Sequence, residues 1–231
     1  MVESLHSAIK KVKAVGDARV LVLRGAGRFF SAGHYLKELV QSENPGSVAQ
    51  LFSASSQMML DLTQLEIPSI AAVHGPAYAA GCQLVATCDL AVAGQSATFA
   101  TPGVKLGLFC TTPAVALVRA IGLRAAKELL LTGRNITAER AYALGLVHRV
   151  VPDDQVFEAG LTLAREIAQH SRPVVCLGKR AVSTQMSLDL PDAYEYANQV
   201  MLQNLELEDT KKGIEAFLNK QPMPQWTDKS D

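Results

Sequence analysis

The stretch Ser69 to Ala93, SIAAVHGPAYAAGCQLVATCDLAVA, alternates apolar runs with small residues in a pattern that predicts strand, turn, helix and strand. Ser69 to Val73 is a short apolar run closed by the turn formers His74, Gly75 and Pro76. The small residues Ala77, Ala79, Ala80 and Gly81 are expected to open a helix, and a second apolar strand is expected over Asp89 to Ala93. A helix beginning among such small side chains leaves its first N–H groups accessible, with the positive end of the macrodipole behind them. Such a helix start suits an oxyanion or a phosphate.

Ahead of that stretch, Val2, Leu5, Ile9, Val12 and Val15 recur at helical spacing, with Lys10, Lys11 and Lys13 on the other side. Arg19 to Arg24, RVLVLR, reads as a buried strand that leads into the loop GAGRFFSAGHYLKEL. Residues 40 to 47 read as a polar loop with Pro45 and Gly46, and a helical period follows from Val48 to Leu65. On it, Met58 and Met59 read as core, since unbranched methionine fills gaps between packed helices. Beyond Thr111, helices are expected over AVALVRAIG, over Leu123 to Leu131 and over AERAYALG, the last capped by Thr137 and ended by Gly145. LVHRVV returns as a short strand, in which His148 reads as structural; His74 reads likewise as a satisfied donor at a strand end. Residues 154 to 170, 174 to 188 and 192 to 219 are expected to form a helical tail with apolar stripes that imply a partner surface. The organisation expected is a core over residues 1–171 and a helical subdomain over 172–231.

Composition narrows the function classes. With 231 residues, 48% hydrophobic and 19% charged, the chain can bury one large core. Its 22 basic and 22 acidic residues cancel, and no basic block is interleaved with aromatics, so nucleic acid is not an expected partner. No apolar run approaches the length of a membrane span. Cys82, Cys88, Cys110 and Cys176 lack metal-type spacing and sit in apolar contexts, which predicts reduced thiols, no metal site and no disulfide. The chain carries none of the phosphate-loop, dinucleotide or nucleophile-elbow motifs.

The turn and helix of HGPAYAAGCQLVA, with ATFATPGVKLGLFCTTP, LLLTGRNITAERAYALGLVHRVVP and SRPVVCLGK, resemble the crotonase (enoyl-CoA hydratase and isomerase) superfamily over nearly the whole chain. The resemblance implies an α/β, crotonase-like (ClpP/crotonase) fold, a spiral of ββα units with a C-terminal helical trimerisation region. The family carries a strand hairpin before the first helix, and the reading expects that hairpin to be missing here, with a wall of the coenzyme pocket. The family binds acyl-CoA, the coenzyme A thioester being substrate or ligand, and needs no other cofactor. Its oxyanion hole implies the backbone N–H groups of His34 and Ala80. Coenzyme contacts are implied at Arg28, Ala32, Phe217 and Lys220, the last two on the final helix and commonly serving a neighbouring subunit. Where the family introduces the helix after the first loop with aspartate, this chain has Tyr35, so a cap worth about 1 kcal/mol is expected to be lost although Glu38 remains.

The resemblance also puts Gln83 and Gly103 where hydratases carry two glutamates. Neither titrates, and each acid or base removed costs roughly 100 to 10,000-fold in rate. Hydratase activity is therefore expected to be weak, and isomerase activity is disfavoured because no carboxylate lies between Ala91 and Arg119. The open alternatives are a decarboxylase or thioesterase acting on an acyl-CoA, and a non-catalytic acyl-CoA-binding or assembly subunit. Histidine at position 34 resembles the decarboxylase branch, where it holds a carboxylate. A branch whose pattern includes AAGCQLVA and ATPGV-x-x-GLFC further implies fatty-acid metabolism and a mitochondrial address, although no targeting segment is expected before the first helix, which alone would leave the product cytoplasmic.

Overall fold

A computed structural model describes residues 1–40 and 45–227. The polar loop expected over 40–47 falls partly on 41–44, outside the described residues. The elements in chain order are α1 (Val2–Ala14), β1 (Leu21–Arg24), α2 (Leu36–Val40), α3 (Pro45–Thr63), β2 (Ser69–Val73), β3 (Ala77–Tyr78) and α4 (Ala80–Thr87). Next come β4 (Leu90–Gly94), β5 (Thr98–Ala100), a 3-10 turn (Pro102–Leu106), α5 (Thr111–Thr132), β6 (Ile136–Thr137), α6 (Ala138–Ala143) and β7 (Arg149–Val151). A 3-10 turn (Asp153–Gln155) then leads into α7 (Val156–Ala168), α8 (Arg172–Gln185), α9 (Leu190–Glu206) and α10 (Glu208–Leu218).

The chain divides into two compact units, the first comprising residues 1–16, 21–65 and 69–164. Its larger sheet is parallel, in the order β1-β2-β4-β7, with Ile70 opposite Val22 on one side and Leu90 on the other. All five residues of β2 are buried, as a strand covered on both faces requires. β1 is half-buried instead of buried, because it is the outer strand of that sheet among the described residues. The smaller sheet runs β3-β5-β6, parallel then antiparallel. The core is built from Leu62, Val73, Val85, Phe99, Leu117 and their neighbours, and Met58 and Met59 lie within it. His6 bonds the Asp61 carboxylate at 2.7 Å and joins α1 to α3; this bond, with one from Gln57, holds the Asp61 carboxyl below the usual range.

Two boundaries differ from expectation. Pro45 and Gly46 belong to α3, where proline's fixed φ suits a first turn. Ala77 belongs to a strand, so the helix opens at Ala80. The span Thr111–Thr132 holds the two helices the pattern predicts, divided at Gly122, whose φ of 77° and ψ of 162° are not helical. Thr137 accepts from the Arg140 N–H at 3.2 Å, the cap expected of it.

The second unit comprises residues 17–20, 66–68 and 165–231. The single helix expected over 192–219 is two, because Leu207 takes an extended conformation between α9 and α10. Asp209, 2% exposed, accepts from the Ser171 hydroxyl at 2.6 Å and from the Thr227 N–H and hydroxyl at 2.9 and 2.8 Å. Trp226 donates to the Gln169 carbonyl at 2.7 Å, so the segment after α10 is tied back to the end of α7. Tyr194, Met201, Leu202 and Phe217 remain exposed on α9 and α10. Among the described residues no helix is long and apolar enough to cross a membrane.

Candidate functional site

The turn after β2 brings two backbones into contact. Gly75 and Gly81 are required there, since a Cβ on either would overlap the carbonyl oxygen of Arg28 or Ser31. The N–H groups of Phe30 and Ser31 donate to the Pro76 carbonyl at 3.1 and 3.3 Å, and the Tyr78 N–H donates to Ser31 at 2.8 Å. The loop over residues 25–35 is thereby zipped to the strand that precedes α4. His74 bonds the Gly27 carbonyl at 2.8 Å through Nε2, the structural role expected of it. Tyr78 is held in turn by Thr98 and Asn135, each 2.9 Å from its phenol oxygen.

Gly33, at φ 89°, lies so close to the start of α4 that an added Cβ would be 3.0 to 3.2 Å from Ala79 Cβ, the Tyr78 oxygen and the Ala80 nitrogen. The peptide that carries the His34 N–H is thus delivered to the first turn of α4. Among the described residues neither the His34 N–H nor the Ala80 N–H meets an acceptor. The conformational demand at this turn falls on Ala79, not on Ala80: Ala79 has φ 50° and ψ −116°, a region that L side chains rarely adopt.

The His34 ring is half-buried and meets Phe52 edge-on, with ring centroids 5.4 Å apart. Burial lowers its pKa below 6.5, and Glu38 only partly offsets this. The neutral imidazole is therefore the resting form at neutral pH. Tyr35 is exposed and, with Glu38 and Leu51, lines an open cleft of about 770 Å³.

Gln83 lies on the first turns of α4 and is 8% exposed. Its N–H donates to the Ala79 carbonyl at 3.0 Å, and its own carbonyl accepts from the Thr87 hydroxyl at 2.8 Å. Gly103, buried in the turn after β5, is walled in by the segment that follows it. A Cβ there would overlap the Leu108 carbonyl oxygen and stand 2.9 Å from Cys110 Sγ. The Leu108 N–H returns to the Gly103 carbonyl at 3.0 Å and closes this loop. Burial, with a contribution from Cys110, pushes the Cys82 thiol up to about 12, and burial raises Cys110 as well. Neither thiol is available as a thiolate at neutral pH.

Arg28 and Ala32 are both exposed on the 25–35 loop, with the Arg28 guanidinium 6.0 Å from the Phe29 ring. Phe217 and Lys220 belong to the second unit. Phe217 is 72% exposed on α10, while Lys220 lies beyond the helix, at φ 54°, where it ends the turn. Pattern reading missed Ala79 and the wall formed by Leu108 and Cys110. Nothing local in the sequence marks either, because both arise from the meeting of separate segments.

The enoyl-CoA hydratase/isomerase family pattern matches residues 1–229. The chain belongs to this family. It is 44% identical over 227 residues to human mitochondrial enoyl-CoA hydratase domain-containing protein 3, a match covering 98% of this chain and 75% of the human one. The crystal structure of that human protein superposes with a TM-score of 0.92 over 96% of this chain and 88% of the other, at 44% identity. An enoyl-CoA hydratase of Mycobacterium smegmatis superposes with a TM-score of 0.93 over 97% and 88% of the two chains, at 39% identity. The crotonase fold expected from the motifs is therefore the fold of this chain.

Proposed function

We propose that this family member binds an acyl-CoA thioester, with its carbonyl oxygen on the N–H groups of His34 and Ala80, and is a very weak hydratase or none. The observation that carries the reading is the crowding at Gly103. Hydration needs a second titrating group opposite the first, and position 103 has neither a side chain nor space for one. Gln83 can hydrogen-bond but cannot exchange a proton at neutral pH. What remains is electrostatic stabilisation of a thioester oxygen, often the largest single catalytic contribution.

In this reading Arg28 and Ala32 meet the coenzyme, and Phe217 and Lys220 complete its site in a trimer formed through the apolar faces of the tail. Relatives named as mitochondrial support a mitochondrial place in fatty-acid metabolism. A decarboxylase would need His34 as an imidazolium, and its lowered pKa counts against that in the resting protein. A thioesterase with a cysteine nucleophile is disfavoured by the raised pKa of Cys82 and Cys110. The test is crotonyl-CoA hydration beside a glutamate-bearing relative, with coenzyme A binding measured in parallel by calorimetry. Binding without measurable hydration is expected. Turnover within about tenfold of the relative, far inside the loss expected for a missing acid and base, overturns the reading.

A further inference from the structure

A cavity of about 230 Å³ lies at the far end of α4 from the His34 and Ala80 N–H groups. It is bordered by Cys88 and Asp89 after α4, by Arg119 on α5, and by Leu146 and His148 between α6 and β7. Val85, Cys88 and Leu146 are buried and make part of its wall apolar. Two hydrogen-bond donors from separate elements border the same space. The Ala91 N–H donates to His148 Nδ1 at 3.1 Å, and the His148 N–H donates to the Ala91 carbonyl at 2.8 Å. A backbone N–H can only donate, so Nδ1 accepts and the ring proton lies on Nε2. This is the structural role expected of His148, and it leaves a donor on the other edge of the ring. Arg119 gives one N–H to the Val115 carbonyl of its own helix at 2.9 Å. Among the described residues its guanidinium meets no carboxylate, and His148 Nε2 meets no acceptor.

We infer that this cavity binds the carboxylate of a small organic acid with a short apolar stem, at a site that shares no residue with the thioester site. The planar fork of arginine matches a carboxylate, and the His148 Nε2 N–H adds a further donor for the same group. The apolar wall of Val85, Cys88 and Leu146 suits a hydrocarbon stem and offers a fully hydrophilic ion nothing in return for its lost water. The ligand carries a single negative charge. Asp89, bonded by the Ser69 N–H and hydroxyl at 2.7 Å each, borders the cavity, as does the carbonyl end of α4, and both repel a second charge. Phosphate, which carries that second charge, is therefore the poorer ligand.

The experiment is calorimetry on the intact chain with butyrate, butanol and inorganic phosphate, repeated in the presence of coenzyme A. Butyrate should bind at least about tenfold more tightly than butanol, as a charge-assisted pair requires, and more tightly than phosphate. Coenzyme A should leave the butyrate affinity unchanged, and Arg119→Gln should weaken it about tenfold. Two variants separate the roles of the imidazole. His148→Asn keeps an oxygen for the Ala91 N–H where Nδ1 stood but lacks the Nε2 donor, so it should lose about fivefold in butyrate affinity at an unchanged unfolding midpoint. His148→Gln, whose amide N–H reaches the Nε2 position, should bind butyrate within about twofold of the parent. Butyrate binding no more tightly than butanol overturns the inference, as does phosphate binding more tightly than butyrate. Competition by coenzyme A also overturns it, because butyrate then occupies the thioester site. An Arg119→Gln variant with unchanged butyrate affinity overturns it too, and if that variant alters the particle mass in sedimentation, the cavity belongs to a contact between chains.

Discussion

Replacing Gly103 by alanine separates steric exclusion from simple lack of a glutamate. The φ of Gly103 is outside the left-handed region, so alanine meets no conformational penalty there. Taken alone, the lost freedom of the unfolded chain should stabilise Gly103→Ala by about 0.4 to 1 kcal/mol. The tertiary structure reverses that sign. The new Cβ would overlap the Leu108 carbonyl oxygen and press on Cys110 Sγ at 2.9 Å. Relief requires the 102–110 segment to shift and strains the 3.0 Å bond between Leu108 and Gly103. Overpacking of this kind costs about 1 to 3 kcal/mol, which exceeds the entropic gain. Glutamate adds four heavy atoms beyond that Cβ and should cost more. Urea unfolding reads the effect as a lowered midpoint at unchanged slope. Gly178→Ala is the control: that helical glycine has open space around it, so alanine should stabilise by about 0.5 to 1 kcal/mol. A Gly103→Ala variant as stable as the parent refutes the reasoning. So does a Gln83→Glu, Gly103→Glu double variant that keeps its stability and hydrates crotonyl-CoA like a glutamate-bearing relative.

Other expectations follow from the same site. Ala79→Gly should stabilise the chain by about 1 kcal/mol, because glycine adopts a positive φ without strain; an unchanged or lowered unfolding midpoint speaks against the conformation at Ala79. His34 has a folded pKa below its unfolded 6.5, so its contribution to stability is present above pH 6.5 and is lost as pH falls through the folded value. His34→Gln should flatten the stability profile between pH 7 and pH 5, and an unaltered slope contradicts the assignment. Arg28→Ala should weaken coenzyme A binding by about 1 to 2 kcal/mol, less at high salt, and calorimetry with unchanged affinity removes Arg28 from the site.

Local chemistry alone made much of the architecture legible. Ser69 to Val73 reads as a strand because a short, mostly apolar run ending at turn formers has one place to go. Thr137 reads as a cap because a hydroxyl before a helix satisfies an N–H that is otherwise unpaired. His74 reads as a structural donor, and the Nε2 bond to Gly27 is that donation. Gln83 and Gly103 announce the absence of titrating groups by identity alone, whatever surrounds them.

What periodicity could not reach was every property that depends on two distant segments arriving together. The positive φ at Ala79 occurs where Gly33 of the preceding loop lies against the turn, a meeting of segments that no local pattern records. The lowered pKa of His34 arises from burial at a place where it meets Phe52, eighteen residues on. The break at Leu207 interrupts an apolar stripe that reads as one helix, since a 3.6-residue period carries no record of a single extended residue. Gly103 is the sharpest case. Its identity shows that a carboxylate is absent, while only the folded 102–110 segment decides that none can be put back without moving the backbone, because the obstruction is a carbonyl oxygen five residues later.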